Sequence, residues 1–252
     1  MKVTRASVVV STCLIAALAI VLGIGIAVNH RFADDSLLTK ASVGVTPLRS
    51  VLIIGDSWAA NGHLAEAIAH QLASRGIAVQ IASLSYPGKR TGTIFESISA
   101  ASMTSTTCVI IAGVNDSIDR FGRQYYAHNI RLLAQISLLR GCAPVVVDLP
   151  RIDQEGAELN VSPWYLKVRN LGYRAIFDHG ASNSIDEYRK EAHIEAVDVP
   201  VRFIDPDMAI GTPETRPELW ANPSHLSLAG YSALGALIEP SIEEHLELSR
   251  DK

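Results

Sequence analysis

The chain is poor in sulfur, in aromatic rings and in surplus charge. Three of its 252 residues are cysteine, too few for the disulfide framework that replaces a core in small secreted domains. Basic and acidic residues nearly balance, 22 against 26 for a formal charge of −4. No Lys/Arg cluster supplies the electrostatic footprint of a nucleic-acid partner. The histidines and cysteines have no ligand neighbours at metal spacing, so neither a metal nor another cofactor is expected. Arg90-Thr91-Gly92-Thr93 follows a predicted strand but lacks the Gly-x-x-x-x-Gly-Lys frame of a phosphate loop. Internal repeats and low-complexity segments are absent as well.

One long apolar run is present, at the N-terminus. From Ala6 to Val28 the sequence carries no charge, and Lys2 and Arg5 precede it. As a helix it would reach about 35 Å, enough to cross a hydrocarbon core of about 30 Å. It exceeds the usual apolar region of a cleaved signal, so residues 1–28 are expected to be a transmembrane signal anchor; Gly25-Ile26-Ala27 leaves cleavage near Ala27 as the alternative. The basic residues stay inside, which exports the rest of the chain to the periplasmic, extracytoplasmic side. A polar linker over 29–48 leads to a domain over 49–252 whose roughly 200 residues suit a single core. Cys13 lies within the span. Cys108 and Cys142 each precede a predicted strand at the same end of the sheet, and both a disulfide and two half-buried thiols stay open.

Within that domain short apolar runs alternate with helical stretches. "SVLIIGD" (50–56), "IAVQIASLS" (77–85), the "CVIIAG" run within 106–117, "APVVVDLP" (143–150) and "VPVRFIDP" (199–206) read as five strands. In "NGHLAEAIAHQLASRG" Leu64, Ile68 and Leu72 recur at helical spacing and Gly76 closes the helix. A helix over about 117–140 would bury Phe121, Tyr125, Ile130, Leu133 and Ile136, with two helical patches near 162–177 and 183–194. "SLAGYSALGALIEPSIEEHLEL" makes the last helix. Strands alternating with helices imply right-handed βαβ crossovers and a parallel five-stranded sheet covered on both faces.

Polar residues gather where these strands end. The first exits through Gly55-Asp56-Ser57, the second into a loop holding Gly88, the third through Gly113-Val114-Asn115-Asp116, and His225 follows the fifth, just before the last helix. In a parallel sheet these exits share the carboxyl edge, where ligands bind. A hydroxyl, an imidazole, an amide and glycine-backed N–H groups are what acyl transfer needs: Ser57 as nucleophile, His225 as base, and the N–H groups of Ser57, Gly88 and Asn115 as oxyanion donors. Asp56 and Asp116 read as structural supports of their turns, Asp116 orienting its loop or capping the helix that follows. Trp58 and Tyr86 could line a pocket or pack the sheet edge, and Lys89 and Arg90 read as a solvated turn. His63, His70, His128, His179, His193 and His245 read as surface or helix-face residues, and His30 belongs to the linker.

The ordered set Gly55-Asp56-Ser57, Gly88, Gly113-x-Asn115 and His225 resembles the four signature blocks of the SGNH (GDSL-type) hydrolases. The resemblance spans about residues 50–245. It implies a flavodoxin-like three-layer α/β/α sandwich and a serine esterase acting on small-molecule or saccharide O-acyl esters, with the same nucleophile, base and oxyanion donors. One position departs: the family's D-x-x-H is Asn222-Pro223-Ser224-His225 here. An amide oxygen can hold the imidazole but cannot stabilise its charged form. Asp205, Asp207 or Glu218 could fold back instead. Two further readings follow: transfer of the acyl group to a sugar hydroxyl, and a catalytically weak envelope accessory module. The loops over 86–92, 150–165 and 206–222 would shape the substrate pocket.

Overall fold

The computed structural model describes residues 50–99, 105–161, 164, 168 and 184–248. The expected anchor, the linker and most of the helical patch near 162–177 lie outside the described residues. Among the described residues no helix is long and apolar enough to cross a membrane.

Five parallel strands form one sheet in the order β2-β1-β3-β4-β5: β1 Ser50–Gly55, β2 Gln80–Ser85, β3 Thr107–Ile111, β4 Ala143–Val147 and β5 Arg202–Ile204. This is the flavodoxin-like order. β1 and β3 are buried along their length because β-branched and leucine side chains fill both faces, whereas β2 is a half-exposed edge. The chain leaves β1 toward β2, then turns back over β1 to β3 and onward. Right-handed crossovers therefore put the β1–β2 helix on one face and the later connecting helices on the other. α1 (His63–Ser74) accordingly packs against the C-terminal helix. α2 (Thr91–Ser99) and α4 (Arg123–Leu139) pack together, and α4 packs against α6 (Ile185–Glu195).

One expected helix starts two residues late and another is subdivided. A 3₁₀ turn, Ser57–Gly62, precedes α1 because Asn61 and Gly62 take positive φ and break the helical path. The helix expected over about 117–140 is α3 (Val114–Ile118) and α4, separated at Arg120 and Gly122, which also have positive φ. Its five expected apolar residues are all buried, although Phe121 sits in the break. After α5 (Gln154–Val161), α6 and β5 come a one-turn α7 (Asp207–Ile210) and a 3₁₀ turn (Pro217–Leu219). The antiparallel pair β6 (Trp220–Asn222) and β7 (His225–Leu226) follows, and α8 (Leu228–Leu248) ends the fold. Cys108 and Cys142 form a disulfide, with their Cα atoms 5.6 Å apart. β3 and β4 are hydrogen-bonded neighbours, which brings the two cysteines together.

Candidate active site

The strand order reverses between β1 and β3, and their exits lie side by side there, with Gly55 opposite Ile111. A Cβ on Gly55 would stand 2.0 Å from the Ile111 carbonyl oxygen, so only glycine lets the two strands close at this point. Asp56 turns inward and is fully buried. Its Oδ1 accepts the Trp58 N–H at 3.1 Å, and its Oδ2 accepts the Gly113 and Val114 N–H groups at 3.2 Å each. Burial pushes its carboxyl up to about 6 against the pull of those hydrogen bonds. Asp56 is the residue that caps the 3₁₀ turn, which leaves the Ser57 hydroxyl for another partner.

That partner is His225, whose Nε2 is 2.9 Å from Ser57 Oγ. On the other side of the ring, Nδ1 is 3.1 Å from Asn222 Oδ1. The same Oδ1 accepts the Ser224 backbone N–H at 3.0 Å. A backbone N–H can only donate, so the oxygen of the amide faces His225 and accepts from Nδ1–H. The Nε2 lone pair is thereby turned toward Ser57. Ser224 Oγ, 3.2 Å from Nδ1, is a second neighbour of the ring. The Ser224 carbonyl accepts the Trp58 indole N–H at 2.8 Å, tying the turn that carries His225 to the turn that carries Ser57. Burial lowers the His225 pKa, with no carboxylate to offset it.

The alternative acids are engaged elsewhere. Asp205 and Asp207 face Arg189 at 3.1 and 2.9 Å, and Glu218 faces Arg216 at 3.2 Å. Asn222 itself takes the ring-orienting place.

The expected oxyanion donors surround the same strand exits. Ser57 opens its turn, where a helical N–H has no partner within the turn. The loop after β2 begins beside β1, with Tyr86 N–H donating to Gly55 O at 2.9 Å, and Gly88 takes φ +72° with open space around it. The Asn115 side chain donates one N–H to Lys89 O at 3.1 Å, leaving a second on the same nitrogen.

Asp116 does not cap the helix after it. Its two oxygens accept the Thr91 hydroxyl (2.6 Å) and backbone N–H (3.1 Å), so it holds the start of α2 and binds the β2 and β3 exit loops together. Burial pushes its carboxyl up to about 7. Arg90 pairs with Asp119 and lies over the Phe121 ring at 4.0 Å, which makes it structural rather than solvated. Trp58 is fully buried against Trp220 and Tyr231; it packs the edge. His193 is not a bare surface residue: its Nε2 is 2.9 Å from Asp148 at the β4 exit, and its ring lies on Phe203. Sequence reasoning passed over Ser224 and Thr91. The signal available was position, Ser224 beside His225 and Thr91 at a helix start opposite an acidic loop.

Comparison with known proteins gives likeness in three dimensions alone. No family model matches the chain, and no curated protein does. Among solved structures it is similar to the lipase/acylhydrolase from Enterococcus faecalis, with a TM-score of 0.60 and 21% identity over 78% of this chain and 96% of that one. It is also similar to the Clostridium thermocellum family 3 carbohydrate esterase (TM-score 0.53, 14% identity, 79% and 98%). A third is the psychrotrophic esterase EstA from Pseudoalteromonas sp., in a structure inhibited by monoethylphosphonate (TM-score 0.51, 13% identity, 81% and 97%). The fold is the one these lipases and esterases share.

Proposed function

We propose that this chain, which has the fold of GDSL-type lipases and esterases, is a serine esterase that hydrolyses O-acyl esters through an acyl-serine intermediate. The observation that carries the reading is the Ser57 Oγ–His225 Nε2 contact of 2.9 Å, with Nδ1 held by Asn222 Oδ1 at 3.1 Å. Ser57 Oγ attacks the ester carbonyl while Nε2 takes its proton. The oxyanion that forms is met by the N–H groups of Ser57, Gly88 and Asn115. The protonated ring then gives its proton to the departing alcohol, and water repeats the sequence in reverse to free Ser57. Asn222 keeps the ring in the correct tautomer but lends no charge to the imidazolium, so turnover is slower than with a carboxylate.

The catalytic domain is proposed to face the extracytoplasmic side, held to the membrane by residues 6–28. The apolar run with Lys2 and Arg5 before it supports this, as does the Cys108–Cys142 disulfide, a bond favoured in oxidising compartments. The substrate is proposed to be an acylated, in particular acetylated, surface saccharide.

Incubating the full chain with p-nitrophenyl acetate and with a fluorophosphonate probe tests the reading. Turnover and labelling are expected, and both should vanish in Ser57→Ala, a loss of about 10⁴-fold or more in kcat. Absence of label on the wild-type chain would sink it. Gain rather than loss of acetyl on an added oligosaccharide would mark transfer instead of hydrolysis.

A further inference from the structure

α1 and α8 both begin at the carboxyl edge of the sheet and run side by side. Their backbones come close at Gly235, where a Cβ would meet the Ala67 Cβ at 2.8 Å. Around and N-terminal of this contact a groove of about 280 Å³ opens between them. His63, Glu66 and His70 line it from one face of α1, and Leu228, Tyr231 and Ser232 from the first turns of α8. Short stretches of chain join both walls to the catalytic pair. Ser57 begins the short turn that ends at His63, and Leu228 is three residues beyond His225, within about 11 Å along the chain.

The lining has a particular chemistry. The His63 and Tyr231 rings meet at 5.7 Å, and the Leu228 side chain stands largely exposed beside them. These provide flat and apolar surface. His63 Nδ1 is buried with no hydrogen-bond partner, 4.0 Å from Glu66 Oε2 and so beyond hydrogen-bond reach of it. Glu66 and His70 are exposed, and so is Ser232. A long acyl chain gains about 0.8 kcal/mol per methylene only where apolar walls enclose it, and this groove is open, with Glu66, His70 and Ser232 exposed beside its apolar surface. A sugar ring needs the reverse: a flat patch for its C–H face, and acceptors and donors around the rim for its hydroxyls.

We infer that the groove between the first turns of α1 and α8 is the subsite for the sugar that carries the scissile acyl group, with Glu66, His63 and Ser232 bonding its hydroxyls. This rests on the esterase reading of Ser57 and His225 and names the alcohol side of its substrate.

The test uses the full chain, acetylated xylo-oligosaccharide and p-nitrophenyl acetate as substrates, and the variants Glu66→Gln and Ser232→Trp. Each variant is expected to lower kcat/KM for the oligosaccharide about tenfold or more relative to the aryl ester, through KM rather than kcat, Glu66→Gln by loss of a hydrogen bond to a charged group and Ser232→Trp by filling the groove. An unmoved ratio in both variants, at retained melting temperature, overturns the subsite. So does a selective loss on p-nitrophenyl decanoate, which makes the groove an acyl-chain site. Titrating the oligosaccharide into Ser57→Ala separates the two readings. Binding that Ser232→Trp abolishes upholds the subsite even if no ester is turned over, and no binding overturns it while leaving aryl-ester hydrolysis standing.

Discussion

Asn222 is the residue on which the proposed chemistry turns. It reproduces the position of a triad carboxylate, and the Ser224 N–H fixes which end of its amide faces the ring. What it lacks is charge. In a serine-protease triad the same loss costs about 10⁴-fold in kcat, so Asn222→Asp is expected to raise kcat on p-nitrophenyl acetate by at least about tenfold. Burial lowers the His225 pKa below 6.5, and the base must be neutral to act. Activity should therefore persist below pH 6.5 in the wild type, and the acidic limb of the pH–rate profile should move upward in Asn222→Asp. Two buried aspartates differ in a way that a pair of variants reveals. Asp56 faces three backbone donors; an amide there turns N–H against N–H, and Asp56→Asn should cost about 2 kcal/mol in denaturant unfolding. Asp116 faces one backbone donor and one hydroxyl, and a hydroxyl can accept from an amide. The native state also holds the Asp116 proton up to about pH 7, whereas the unfolded chain releases it near 3.8. Its contribution is full at low pH and lost as pH rises through that window. Asp116→Asn should thus melt no lower than wild type at pH 8 and show a flatter dependence between pH 4 and 7.

At the scale of elements, the site is a meeting of loops rather than a property of any one. The β2 exit and the β3 exit are joined three times, by Asp116 on Thr91, Arg90 on Asp119 and Asn115 on Lys89. The β1 exit joins them through Asp56, and the β6–β7 turn through Trp58 and Ser224. The closeness of β1 to β3 is the condition for all of this. Gly55→Ala would drive a methyl into the Ile111 carbonyl; a loss of about 2–3 kcal/mol in stability is expected, together with loss of aryl-ester turnover. An unchanged unfolding midpoint would contradict that account.

At the scale of the whole molecule, the disulfide closes the segment from Cys108 to Cys142, a sequence separation of 34 that contains α3 and α4. Loop-closure entropy for that span stabilises the fold by about 3–4 kcal/mol, so Cys142→Ser should lower the melting temperature by roughly 10 °C. Equal melting temperatures would show that the bond adds nothing. Another long-range tie is between the two helices of the β1–β2 face, where Arg75 at the end of α1 reaches Glu239 and Glu243 of α8 at 3.2 and 2.6 Å. It lies well down the helices from the groove between their first turns.

The sequence by itself determined the parallel sheet, because continuous apolar runs of strand length and helical spacing between them are local patterns. It also placed Ser57, Gly88, Asn115 and His225 at ends that the crossover rule brings to one edge. The tertiary structure alone decided partnerships across that edge. Asn222 rather than a distant acid holds His225, Asp116 serves the helix after β2 instead of its own, and Cys108 meets Cys142. The break at Arg120 and Gly122 likewise came from tertiary context, since Phe121 and Tyr125 carry the apolar spacing across it unbroken. The reason is common to all four: periodicity records which face of an element is buried, and it holds no information on which polar group another segment will present there.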